Sequence, residues 1–129
     1  MAPIAVSIER REPPVAVVSL IGESDSYSAT RAESELELLL EAGVRIVVDL
    51  SETSFADSHT LSVLLTARDR AAKARSGFVL ALPTDSYTQV DRLLDLTGLR
   101  KMFAIQPNLA DALAAARAGE NAGPRAHAA

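Results

Sequence analysis

Chemically capable side chains gather at one place in this chain. The run Asp57-Ser58-His59-Thr60 sets a carboxylate, two hydroxyls and an imidazole next to one another. A catalytic triad would need the imidazole to take the serine proton and the carboxylate to orient the imidazole, and consecutive residues at a helix start point in different directions. No G-x-S-x-G elbow occurs elsewhere, so a hydrolase is not indicated and no residue is read as catalytic. The other histidine, His127, is far along the chain, and no carboxylate pair stands at ligand spacing around His59, so no metal is expected. What remains is Ser58 as an acceptor of phosphate. Free amides and the helix dipole favour an anion at a helix N-terminus, so a phosphate there changes the surface without melting the fold. Helix starts with Asp or Ser are common, however, and from these four residues alone Asp57 or Ser58 reads as a plain N-cap contributing about 1 kcal/mol.

The elements around the run follow from hydrophobic period. Upstream, Val44–Leu50 is a β-branched run that reads as the buried centre of a sheet, and residues 51–56 read as a loop. Downstream, Leu61, Leu64, Leu65, Ala71 and Ala72 make an apolar helical stripe with Arg70 and Lys73 outside it, and Gly77 is read as the stop. The run thus sits beyond the carboxyl end of a strand and at the mouth of a helix, the usual position of a site in an open α/β sheet.

The rest of the chain fits the same plan. Ile4, Val6 and Ile8 alternate as a half-buried strand, and Val15–Ile21 follows so soon that the two form an antiparallel pair. Residues 22–26 read as a loop leading into a helix with Ala29, Ala32, Leu36, Leu39 and Leu40 on one face, closed by Gly43. Phe78–Leu82 is a strand, Val90, Leu93, Leu94 and Thr97 mark a third helix ending at Gly98, and Met102–Ile105 is a short strand. Pro107 opens a fourth helix carrying Leu109, Ala112, Leu113 and Ala116. The expected fold is therefore α/β, with about four helices on a mixed, largely parallel sheet. Residues 1–4 are expected to be a tail, 5–116 the domain, and 117–129, which lack periodicity, a disordered tail.

Composition narrows the function classes. At 129 residues the chain holds one domain, and its 48% hydrophobic content suffices for a core. Thirteen Lys and Arg against seventeen Asp and Glu give a net charge of −4, a poor match for a phosphate backbone, so no nucleic acid is expected as a partner. Zero cysteines exclude disulfides and thiolate chemistry. With no basic-then-apolar leader and no apolar run of about 20 residues, the chain is expected to be cytoplasmic and not inserted in a membrane. No G-x-G-x-x-G or Walker-type loop occurs.

Ordered motifs add a more specific signal. The stretch Val47–Leu65 resembles the STAS family, the anti-sigma-factor antagonists, in which V-V-D-L-S-x-V-x-F-[ILM]-D-S-[ST]-G-L precedes an amphipathic helix. Gly22-Glu23-Ser24-Asp25 is similar to the family's G-E-[LI]-D loop, and residues 92–99 are similar to its R-L-[LF]-x-[LM]-[TS]-G-L segment. The resemblance implies a STAS-like fold and a binding module without enzymatic activity or cofactor. It implies that Ser58 is phosphorylated by an anti-sigma factor with serine kinase activity, that a protein phosphatase resets it, and that the unphosphorylated form sequesters the anti-sigma factor and frees a sigma factor. Glu23, Asp25, Asp57, Ser58, His59 and Thr60 are then the partner-binding residues. Among the departures from the pattern, Ser24 stands where the family has an apolar residue, and His59-Thr60 stands for [ST]-Gly. Thr60 is therefore expected to crowd a docked kinase, which would favour an interaction module acting without phosphorylation in a signalling or membrane-associated complex. A nucleotide-binding module ranks last.

Overall fold

The computed structural model describes residues 4–123. Val15-Ala16-Val17-Val18-Ser19-Leu20 is rich in β-branched residues, which favour extended backbone, and forms β2 (Val15–Leu20). β1 (Ile4–Glu9) lies antiparallel to it, with Ile4 opposite Leu20 and Glu9 opposite Val15. On its other side β2 pairs in parallel with β4 (Arg45–Asp49), followed by β6 (Phe78–Ala81) and β7 (Ala104–Gln106), giving the order β1-β2-β4-β6-β7. The mixed, mostly parallel sheet is the expected one.

Three helices cover one face: α1 (Ser26–Glu41), α2 (Ser58–Lys73) and α3 (Gln89–Thr97). Their apolar residues Leu36, Leu64 and Leu94 meet Val18, Ile46, Val48, Phe78 and Leu80 from the sheet in one core. Each fully buried side chain of this size stabilises the fold by about 1.5–3 kcal/mol. The opposite face is covered by α4 (Leu109–Arg117), whose Ala112, Ala115 and Ala116 lie on Val15, Val17, Val47 and Val79. Small residues let this helix come close. Gly77, read from the sequence as a helix stop, instead permits that approach: a Cβ there would lie 2.1 Å from the Ala116 carbonyl oxygen. Helix α2 has already ended, with Ala74 as its cap and Arg75 in the left-handed region at φ 56°.

Other departures have physical reasons. Val6 and Ile8 are exposed rather than half-buried, because β1 is the sheet's edge and α1 covers little of it. Ile4, assigned to the N-terminal tail, begins β1 and is buried. The expected disorder from residue 117 does not hold for residues 117–123, Arg117 being the last residue of α4. The Phe78 amide donates to the Glu120 carbonyl, Arg68 Nε donates to the Asn121 carbonyl, and Ala122 is buried. These are main-chain attachments, which leave no side-chain period to read. The remainder of the expected tail, with His127, lies outside the described residues.

The departure that matters for function is a second, two-stranded parallel sheet. β3 (Gly22–Ser24) and β5 (Thr53–Ala56), both read as loops, pair with Ser24 opposite Ala56. Strands this short, one containing Gly22, carry too little alternation to be recognised.

Candidate functional site

The small sheet places the sequence motif. Because β3 and β5 run in parallel and end in register, the residue after each becomes the N-cap of the helix that follows: Asp25 for α1 and Asp57 for α2. Both caps have extended backbone, and each carboxylate accepts from the amide three residues on, Ser28 at 3.0 Å and Thr60 at 2.9 Å. This satisfies one of the amides that a helix start leaves without an intrahelical partner. The Ser28 amide holds the Asp25 carboxyl below its ordinary range.

Two helix N-termini therefore stand side by side. The Asp57 amide donates to the Ser24 carbonyl at 3.3 Å, and the Ser26 hydroxyl donates to Asp57 Oδ2 at 3.5 Å. From the far side, Gln89 at the start of α3 holds Ala56 as another strand would. Its Oε1 accepts from the Ala56 amide at 2.8 Å, and its Nε2 donates to the Ala56 carbonyl at 2.9 Å. Thr53 adds a buried hydroxyl bond to the Leu20 carbonyl at 2.6 Å, tying β5 to the end of β2. The turn that carries the motif is thus fixed on three sides.

Of the six residues expected to meet a partner, five share this surface. Ser58 and His59 are exposed on the first turn of α2, Asp57 is half-buried beneath them, Asp25 is exposed at the neighbouring helix start, and Glu23 is exposed on β3. The Ser58 hydroxyl makes no hydrogen bond among the described residues, so it is open to a reagent from outside. Its own amide and that of His59 precede the first helical hydrogen bond, which runs from the Leu61 amide to the Asp57 carbonyl.

Thr60 is the correction. It is only 1% exposed and points inward, so it cannot crowd a docked protein. Its hydroxyl lies 2.9 Å from Ser24 Oγ, 3.0 Å from the Ser24 carbonyl and 3.0 Å from Asp57 Oδ1. Ser24 and Thr60, which both depart from the family pattern, are in contact with each other.

Sequence reasoning missed Ser26, Gln89 and the exposed aromatics Tyr27 and Phe55, which flank the motif at 70% and 43% exposure. A signal for Ser26 and Tyr27 was present. Asp25-Ser26-Tyr27-Ser28 and Asp57-Ser58-His59-Thr60 share one pattern of carboxylate, hydroxyl, ring and hydroxyl. For Gln89 there was none, because its role depends on where the third helix lands.

The residues able to hold a phosphoryl group here are backbone amides and hydroxyls, and no cluster of His, Asp and Glu suited to a metal occurs among the described residues. No helix among them is long and apolar enough to cross a membrane.

Known proteins resemble this chain in sequence and in fold. The family model for the STAS domain matches residues 6–112. An anti-sigma-B factor antagonist of Listeria monocytogenes is 29% identical over 104 residues, covering 80% of this chain and 89% of that protein. The crystal structure of an anti-sigma factor antagonist from Mycobacterium paratuberculosis is 31% identical with a TM-score of 0.73, covering 88% of this chain and 94% of the other. The phosphorylated form of the Bacillus cell fate determinant SpoIIAA has a TM-score of 0.60 at 20% identity, over 85% of this chain and 97% of its own, a likeness of fold. With the motif, the small sheet and these matches together, the chain belongs to the STAS domain family and is of the anti-sigma-factor-antagonist type.

Proposed function

We propose that the chain is a phosphoswitch: unphosphorylated, it binds an anti-sigma factor with serine kinase activity and so releases a sigma factor in the cytoplasm. The observation that carries the reading is the exposed, unengaged hydroxyl of Ser58 on the first turn of a helix, beside the hydrogen-bonded Ala56, Asp57 and Thr60. The kinase supplies ATP and metal. Ser58 Oγ attacks the γ-phosphorus, the bond to the β–γ bridging oxygen breaks, ADP leaves, and the hydroxyl proton passes to a base on the kinase. A phosphatase returns the serine by hydrolysis.

The electrostatics support a change of partner rather than a change of fold. A phosphoserine adds about −1.5 to −2 charge at neutral pH. The open amides of Ser58 and His59 and the helix dipole accommodate that charge within the chain. For a partner the situation is different: Glu23, Asp25 and Asp57 already make this surface acidic, and a further dianion must be desolvated on docking. Tyr27 and Phe55 supply the apolar contact area that such an interface needs. The reading without phosphorylation rested on a crowding Thr60, and the buried position of that residue removes its support.

The test is incubation of the purified chain with ATP and the serine-kinase anti-sigma factor of the same organism. One phosphate is expected on the wild type and none on Ser58→Ala, with the complex weakened by the modification and the fold retained. A stable complex with no phosphate on any hydroxyl would overturn the switch in favour of constitutive binding.

A further inference from the structure

We propose that Ser24 and Thr60 are a matched pair of positioning residues that set the geometry of the Ser58 turn. The proposal rests on the reading of Ser58 as the phosphate acceptor and names what holds it. Both side chains are buried, Ser24 at 3% exposure and Thr60 at 1%, and buried hydroxyls need partners. Counting protons fixes who donates. Among the described residues Ser24 Oγ has one side-chain partner, Thr60 Oγ1, so its proton goes there. The single proton of Thr60 is then shared between the Ser24 carbonyl and Asp57 Oδ1, both at 3.0 Å. Every proton in the group has an acceptor.

The consequence falls on Asp57. Its Oδ1 receives the Thr60 amide at 2.9 Å and the Thr60 hydroxyl at 3.0 Å, which together fix the carboxylate rotamer of the residue immediately before Ser58. The same hydroxyl grips the β3 main chain, beside the bond from the Asp57 amide to the Ser24 carbonyl. One side chain thereby locks the start of α2 to the small sheet. Neither residue reaches the surface, so neither touches a kinase or its ATP; they act through the placement of the Asp57–Ser58 backbone. Thr60→Gly, which would relieve crowding if Thr60 stood on the surface, here removes the lock and strands the Ser24 hydroxyl in the core.

The experiment uses the full chain with Thr60→Val, which keeps the shape and loses the hydroxyl, Thr60→Ser, which keeps the hydroxyl, and Ser24→Ala. Native-state amide exchange is read at Thr60 and Leu61 relative to Val47 in the core, and phosphorylation of Ser58 is read as kcat and KM with the serine-kinase anti-sigma factor of the same organism and ATP. Thr60→Val should raise exchange at the first turn about tenfold relative to Val47. It should lower kcat about tenfold with KM little changed, because a displaced nucleophile is bound but not aligned. Thr60→Ser should stay within about twofold of wild type on both readouts. Should Thr60→Val not fold, Ser24→Ala carries the test, with first-turn exchange raised about threefold. Wild-type protection of these amides in the hydroxyl-free variant, or lost protection with unchanged kcat, would overturn the pair's positioning role. A wild-type chain that takes no phosphate at Ser58 sinks the switch instead, and the exchange measurement then decides by itself whether the pair sets the turn.

Discussion

The starts of α1 and α2 are built alike and end up different. Each follows a short parallel strand, each is capped by an aspartate, and each carries serine, a ring and a second hydroxyl residue in its first turn. At α1 the serine hydroxyl is turned toward a neighbour, Asp57, and the capping Asp25 is exposed. At α2 the serine hydroxyl is unengaged, while the cap beneath it is half-buried and held by a second hydroxyl from below. The local motif specifies a helix start in both cases. The contacts between the two starts decide which of them leaves its serine hydroxyl unengaged.

The comparison can be broken most sharply at the two serines. Ser58→Ala should abolish phosphate uptake from the kinase and Ser26→Ala should leave it standing, as read by intact-mass spectrometry; the reverse result would exchange their roles. Next in size is the apolar support below each helix. Leu64→Ala under α2 and Leu36→Ala under α1 should each cost about 2–5 kcal/mol in urea unfolding, since both side chains are buried in the same core. A neutral result at either position would mean that its helix face is wrongly assigned.

The caps come third. Asp57→Ala strips an acceptor from the Thr60 amide and hydroxyl and should cost about 2 kcal/mol, and Asp25→Ala at the exposed cap should cost less. Equal losses would show that the buried hydroxyl adds nothing. If Asp57 also lies in the interface, partner affinity will fall by more than stability does, as titration calorimetry on the same variants would show.

The smallest effect is in pH dependence. The carboxyl of Asp25 is held by the Ser28 amide below its ordinary value of 3.8, so the folded state binds its proton less readily than the unfolded state. Its contribution is complete above that value and is lost as pH falls through the lower folded one. Asp25→Asn should therefore be slightly less stable than wild type at pH 6 and approach it at more acid pH, in melting curves taken at each pH. A gap that stays constant into acid would assign the cap to shape rather than charge.

The same two helix starts show what sequence can and cannot reveal. The long elements were legible because their periods are unambiguous, as in Val44–Leu50 and the stripe from Leu61 to Ala71, and the D-S run stood out by chemistry. The small sheet was not legible: three- and four-residue strands carry almost no period, and their pairing joins segments distant in the chain. Thr60 was misread for the same reason. A hydroxyl near an exposed serine looks like surface until its neighbour Ser24, brought from the other strand, supplies the partner that lets it be buried. Gly77 was misread because the Ala116 backbone it accommodates is contributed by a helix far downstream.

The platform under Ser58 is a sheet of its own, hydrogen-bonded within itself and to Gln89, and joined to the five-stranded sheet by the Thr53 hydroxyl on the Leu20 carbonyl rather than by strand pairing. If Ser58 carries the mark, this arrangement bears on timing. A charge written on the exposed first turn of α2 and erased again does not require the core to repack, so the change of partner need not wait on slow conformational steps. The interval between the two states is then governed by how fast the writing and erasing enzymes turn over, and the chain can answer as quickly as its surroundings supply ATP and water.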